Sequence, residues 1–248
     1  MLTVTYIGHS GFLIETDNTY FLFDYFNGEI PSLKSEKSIV VFSSHRHHDH
    51  FNPEIFELIK KHPDILYVLS YDIPLRSHIN KYNNLGIDLR KNIIAIKKNI
   101  TQLVTLSNGK NLKITTLRST DEGVAFFLEY DNHIFYHAGD LNCWDWIEES
   151  KAYRNNMIKL YTDEIKKIAG QNIDIAFVPL DPRLEKTAYE GLEIFINYTN
   201  SKVIFPMHCW DNYTIIDDFL TKHPECKDQV SAITSNGEIF IVKWNYLL

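Results

Sequence analysis

Apolar and polar positions change rhythm along this chain, and the changes mark its elements. Residues 2–7 alternate with period two, as a strand does. Gly8-His9-Ser10-Gly11 interrupts the alternation and Phe12-Leu13-Ile14-Glu15 resumes it. Asp17-Asn18 predicts a turn, and residues 20–24 a further apolar strand ending in Asp24. Residues 38–42 are β-branched and apolar, the pattern of a buried strand. Asn52-Pro53-Glu54 then predicts a helix start, with a side-chain cap, proline in the first turn and an acid after it; Ile55, Leu58 and Ile59 share one face of that helix. The spacing predicts a strand over 64–70 and a helix over 72–82 with His78 on its surface. Strands over 91–104 and 112–117 flank a turn at Asn108-Gly109. Residues 123–130 and 133–140 are the arms of a hairpin about Asp131-Asn132. The stretch from about 143 to 170 differs, with helical spacing over 144–149 and 157–169. A strand over 174–180, an amphipathic helix over 187–198, a strand over 202–208, a helix over 213–220 and two short strands about Asn236-Gly237 complete the order. Strands then helices, twice over, predict two β-rich halves of similar layout, with no repeat or linker.

Chemistry concentrates between the strand at 38–42 and the helix start at 52. Ser43-Ser44-His45-Arg46-His47-His48-Asp49-His50 carries the skeleton His-x-His-x-Asp-His. Four metal-capable side chains within six residues cannot all point off one face of a regular element, but on an irregular loop they can converge. Imidazole nitrogen with carboxylate oxygen is a donor set for zinc, iron or manganese. An expression tag would lie at a terminus, and this run is internal. Arg46 and His48 read as spacers.

The motif resembles the signature of the metallo-β-lactamase superfamily, and the match to His45, His47, Asp49 and His50 is complete. The resemblance implies an α+β fold, a four-layer αβ/βα sandwich forming a single domain over 1–248, with the helical stretch 143–170 as an insertion. It implies that His45 and His47 hold one metal ion while Asp49 and His50 hold a second. The Gly139-Asp140 ending of the hairpin resembles the motif whose aspartate bridges the two. His208, at the end of the 202–208 strand, resembles the last ligand, on the second metal. The opening Ile7-Gly8-His9-Ser10 and the later Leu22-Phe23-Asp24 are similar to the branch that includes L-ascorbate-6-phosphate lactonase; His9 and Asp24 there read as residues behind the ligands or as turn formers.

The chain departs from that pattern at one place. The superfamily usually has a further histidine on the first metal, and none follows the 112–117 strand here. Asp121 is expected to take that position, with His137 as the alternative if its strand bulges. The resulting harder site admits Mn2+ or Fe2+ as well as Zn2+, and one or two ions are expected. The resemblance implies hydrolysis of a small ester, lactone or phosphoester by a metal-held hydroxide that Asp49 orients. His137, with His9 behind it, is the candidate acid for the leaving group. Trp144 and Trp210 closely follow expected ligands and can wall a substrate pocket, and Arg183 suits a phosphate or carboxylate.

Composition narrows these readings. A net charge of −7 disfavours a nucleic-acid or anionic-membrane surface, although metal ions can supply local positive charge to a phosphodiesterase. No run approaches a membrane span and no signal peptide opens the chain. The three cysteines, Cys143, Cys209 and Cys226, are widely spaced and predict reduced thiols in the cytoplasm; Cys209, beside His208, reads as a small buried hydrophobe. A small-molecule substrate is therefore favoured. A nuclease or nucleotide phosphodiesterase is one competing function, and a metal-binding or redox diiron protein without hydrolytic turnover is the other.

Overall fold

The computed structural model describes residues 2–242, which form two compact units. The first comprises residues 2–96, 105–110 and 235–242, and the second residues 97–104 and 111–234.

The strands of the first unit are β1 (Leu2–Gly8), β2 (Gly11–Glu15), β3 (Thr19–Phe23), β4 (Ser38–Ser43), β5 (Leu66–Ser70) and β6 (Ile93–Ile96). A last strand near the chain's end, Ile239–Val242, joins the open edge of β1. β1, β2 and β3 pair antiparallel, whereas β3, β4, β5 and β6 run parallel. All six residues of β4 are buried, as an apolar strand in the parallel part of a sheet requires. Leu13, Tyr20, Leu22, Ile39, Val41, Tyr67 and Leu69 alternate onto one sheet face. There they pack with Ile55, Phe56 and Ile59 and with Tyr82 of helix α1 (Arg76–Asn83). Each such side chain removed from water contributes about 1.5–3 kcal/mol, so this layer holds the metal-motif loop at the end of β4 in place.

The second unit contains β7 (Thr101–Thr105), β8 (Asn111–Arg118), β9 (Val124–Tyr130), β10 (His133–His137), helix α2 (Lys151–Ile165), β11 (Ile175–Pro179), helix α3 (Glu190–Tyr198), β12 (Val203–Met207) and helix α4 (Thr214–Lys222). The closing strand Ile239–Val242 is β13. The sheet order is β12-β11-β10-β9-β8-β7, antiparallel from β8 to β10 and parallel from β10 to β12. Each unit thus joins an antiparallel set of strands to a parallel one. Met157, Tyr161 and Ile165 form the buried face of α2; the Tyr161 hydroxyl donates to the Gly191 carbonyl at 3.0 Å, and Phe195 of α3 stacks on Tyr136 of β10.

Several elements differ from the expectation. The 91–104 stretch is two strands in two sheets, broken at Asn99, whose φ is 58°. Thr116 seals the break, its hydroxyl donating to the Lys97 carbonyl at 2.6 Å and accepting from the Ile100 N–H at 3.1 Å. Residues 53–60 form a 3-10 helix, with Asn52 accepting from the Glu54 N–H as the cap. His78 is half-buried, its ring 5.3 Å from that of Phe56, because a helix pressed on that layer turns it inward. Residues 144–149 are not helical; α2 begins only after Ser150, whose hydroxyl accepts from the Tyr153 N–H. Of the two closing strands only β13 forms, since Val230 makes an isolated bridge to Ile204 and the chain around Asn236 is a turn. Its expected continuation past 242 lies outside the described residues.

Candidate metal centre

In the first unit the motif loop leaves β4 and closes on itself, with the N–H groups of His50 and Phe51 donating to the His47 carbonyl. Asp72 accepts the Arg46 N–H at 3.0 Å and anchors the outer part of the loop. Beneath it lies Asp24, at the end of β3, fully buried and at φ 38°. A backbone in the left-handed region costs energy for a non-glycine residue, and such residues gather at functional sites. Asp24 Oδ1 accepts the Ser44 N–H at 2.7 Å, and Oδ2 accepts the Ser44 hydroxyl at 2.6 Å and His50 Nδ1 at 2.8 Å.

A carboxylate only accepts, so the proton of neutral His50 sits on Nδ1. Ser44 spends its own proton on Asp24 and therefore accepts from His45 Nδ1, 3.0 Å away. One buried aspartate thus sets two tautomers, and Nε2 of both rings is the unprotonated nitrogen. His45 Nε2 faces His47 Nδ1 at 3.0 Å. His9, at φ 54° between Gly8 and Ser10, brings its Nε2 within 3.3 Å of Asp49 Oδ2, and His50 Nε2 lies 4.0 Å from the same oxygen. Burial opposes the Asp49 charge, but His9 and His50 outweigh it and hold the carboxyl well below the usual range.

The second unit carries two expected ligands. Asp140 follows β10 through Gly139, at φ 52°. Its carbonyl accepts the Trp144 indole N–H at 3.0 Å, and the Thr120 hydroxyl secures the turn by donating to the Asn142 carbonyl at 2.6 Å. His208, at φ 67° beyond β12, places Nε2 at 3.3 Å from Asp140 Oδ1. Its Nδ1 donates to Asp181 Oδ2 at 2.8 Å, so here too the tautomer is set and Nε2 is bare. Burial works against the Asp181 charge, yet His208 and Arg183 together bring its carboxyl down to about 2.

The donor set fits a metal ion. Two bonds of about 2.1 Å meeting at a tetrahedral angle put their donor atoms about 3.4 Å apart. The pairs His45–His47, His9–Asp49 and His208–Asp140 lie at 3.0, 3.3 and 3.3 Å. Histidines held at Nδ1 by a carboxylate, with Nε2 presented, are the arrangement that orients metal ligands.

Other expected residues are placed differently. Asp121 is exposed, its N–H donating to the Ser119 hydroxyl, and it joins no donor group among the described residues. His9 instead sits with Asp49 and His50. His137 is fully buried, and its Nδ1 accepts the Gly139 N–H at 3.1 Å; it shapes the turn that presents Asp140 rather than facing a leaving group. Arg183 grips Asp181 through Nε and Nη2, so the carboxylate it holds is the protein's own. Trp144 is buried against His208, with ring centres 5.7 Å apart, while Trp210 is 42% exposed. Cys209 is buried, which pushes its thiol above the usual range and disfavours a thiolate ligand. The role of Asp181 escaped the sequence reading; its one trace was a strand-end aspartate before proline.

A family model described as a beta-lactamase superfamily domain matches residues 3–154. The chain belongs to that superfamily. A UPF0173 metal-dependent hydrolase of Opitutus terrae is 25% identical over 214 residues, 84% of each chain. A metallo hydrolase from the archaeon Ignicoccus hospitalis aligns with a TM-score of 0.61 at 17% identity, covering 98% of this chain and 99% of that one. CmlA, a diiron beta-hydroxylase from Streptomyces venezuelae, aligns with a TM-score of 0.64 at 12% identity, covering 97% of this chain and 54% of its own. The fold is the metallo-β-lactamase α/β fold, and the protein is a metal-dependent hydrolase of the superfamily. The matched region holds His45, His47, Asp49, His50 and Asp140; His208 and Asp181 lie beyond it.

Proposed function

We propose that the chain binds one or two divalent ions, the first unit supplying His45, His47, Asp49 and His50 as donors and the second Asp140 and His208. His9 is an added donor beside Asp49. The observation that carries this reading is the pair of buried carboxylates, Asp24 and Asp181, each accepting a histidine Nδ1 and leaving Nε2 to ligate. Zinc, manganese and ferrous iron all suit nitrogen and carboxylate donors.

When bound, the ions would activate water and polarise the scissile carbonyl or phosphoryl group. The protein's own part is to orient. Asp49, below its usual carboxylate range, stays ionised at neutral pH and accepts a hydrogen bond from the attacking water. The exposed ring of Trp210 offers a flat wall to a small ester, lactone or phosphoester, including substrates of the ascorbate-phosphate lactone kind. The net charge of −7 supports a small molecule over nucleic acid. Three buried, unbridged cysteines and the lack of any helix long and apolar enough to cross a membrane among the described residues support a cytoplasmic site of action.

Elemental analysis of protein purified without added metal should find one to two ions per chain, falling below half in His45→Ala and Asp140→Ala. Chromogenic phosphodiesters, lactones and thioesters then assign the bond cleaved. Metal-free protein that takes up no zinc or manganese on titration would sink the reading. Iron together with oxygen consumption would replace hydrolysis by a redox role.

A further inference from the structure

The Asp181 carboxylate is fully buried, yet its charge is met from the surface. Arg183 donates its backbone N–H to Oδ1 at 2.9 Å and Nε to both oxygens at 3.0 Å, and Nη2 reaches Oδ2 at 2.6 Å. Trp210 adds an indole N–H at 3.3 Å to the oxygen that also takes His208 Nδ1. The guanidinium itself lies near two indole rings. Its carbon lies 4.6 Å from the Trp210 ring centre and 5.9 Å from that of Trp146. Trp146 stacks on Trp144, and Trp144 and Trp210 each set an edge against the His208 ring. An ordinary surface ion pair is loose and contributes little. This one ends on a buried carboxylate, with the guanidinium carbon near two indoles and the side chain 47% exposed.

We infer that Arg183 is a positioning residue for the second unit's metal ligand, acting through Asp181 on His208. A guanidinium fork engages a carboxylate edge-on and fixes its plane, which a point charge does not. With the plane fixed, Oδ2 stays on His208 Nδ1 and the bare Nε2 stays aimed at the ion. The inference rests on the proposal that His208 ligates.

The test uses full-length protein stripped of metal and titrated with Zn2+ against a chelator of known affinity, then with Co2+ followed by its visible spectrum. Arg183→Met keeps an unbranched stem of similar length and removes the fork. It should weaken zinc binding about 10–100-fold, the range for loss of a group behind a ligand. Arg183→Lys should fall between it and wild type. In an Asp181→Asn background the Arg183→Met change should have no further effect, because the relay is already cut. In metal-free protein, the Nδ1–H proton resonance of His208 should be sharp in wild type and broadened in Arg183→Met. Wild-type zinc affinity in Arg183→Met, or penalties of Arg183→Met and Asp181→Asn that simply add, would overturn the inference while leaving the metal reading intact. A wild-type chain that binds neither Zn2+ nor Co2+ overturns that reading, and the His208 proton resonance still decides whether the relay exists.

Discussion

The two units solve one problem in two ways. Each presents a histidine whose Nδ1 is held at 2.8 Å by a fully buried aspartate. In the first unit Asp24 is met by the backbone N–H and hydroxyl of Ser44 and by His50, all buried. In the second, Asp181 is met by a half-exposed arginine and an exposed tryptophan. The first arrangement is sealed in a hydrophobic layer and fans out to two histidines. The second serves one histidine and reaches solvent only through its partners Arg183 and Trp210. Sealing gives rigidity at the cost of burying a charge; an arginine at the rim compensates the charge of Asp181 and leaves His208 sensitive to what happens at the surface.

Removing the carboxylates should show this most strongly. Asp24→Ala strips the acceptor from three buried donors. At about 1–3 kcal/mol per unsatisfied group it should cost roughly 3 kcal/mol or more of stability in urea unfolding of the metal-free protein, and metal binding with it. Asp181→Ala should cost less, about 2 kcal/mol, since Arg183 and Trp210 can turn to water. Equal losses would show that burial alone, and not the kind of partner, sets the cost.

The next effect isolates the second unit. A Cβ added at Gly191 would meet Asn142 Oδ1 at 1.9 Å, and Asn142 is tied to Thr120 at both its N–H and its carbonyl. Gly191→Ala should therefore cost about 1–3 kcal/mol and loosen the turn that carries Asp140, with lower metal occupancy but an unchanged first-unit loop by hydrogen exchange. A neutral result would mean the Asn142 amide swings aside freely.

Acid should also separate the units. The Arg154 fork holds buried Asp145 below its usual range, both contacts being 2.6 Å. A depressed carboxylate stabilises above its unfolded pKa of about 3.9, and that contribution is lost as pH falls below it. Unfolding measured from pH 6 down to pH 2 should lose stability over this window in wild type and lose less in Asp145→Asn. In the first unit Glu57 is brought to about 2 by its hydrogen bonds with Lys60, Tyr82 and Lys81, but it is exposed. Its contribution should vanish in 0.5 M salt, on the order of the screening expected at that strength, while that of Asp145 persists. The smallest effect concerns Asp121. Asp121→Ala should leave metal content within error of wild type by elemental analysis, and a clear drop would restore Asp121 as a ligand.

How much was legible follows from where the information lies along the chain. β1 and β2 are legible as alternation, β3 and β4 as apolar runs buried on both faces, and the hairpin of β9 and β10 from its turn residues, because these patterns are local. The 91–104 stretch misled because the break at Asn99 depends on Thr116, a residue far off in the sequence, closing the gap. His78 was read as a surface residue because its helix pattern carries no trace of the Phe56 ring it meets.

By itself the sequence determined the donor types, since four metal-capable side chains packed into six residues need no fold to be noticed, and it placed Asp140 and His208 at strand ends. Tertiary structure decided which ring nitrogen of His45, His50 and His208 carries the proton, that Arg183 holds Asp181, and that His9 rather than Asp121 stands beside the donors. Those outcomes depend on side chains meeting across tens of residues, where hydrogen bonds, and not local propensity, choose the proton's place.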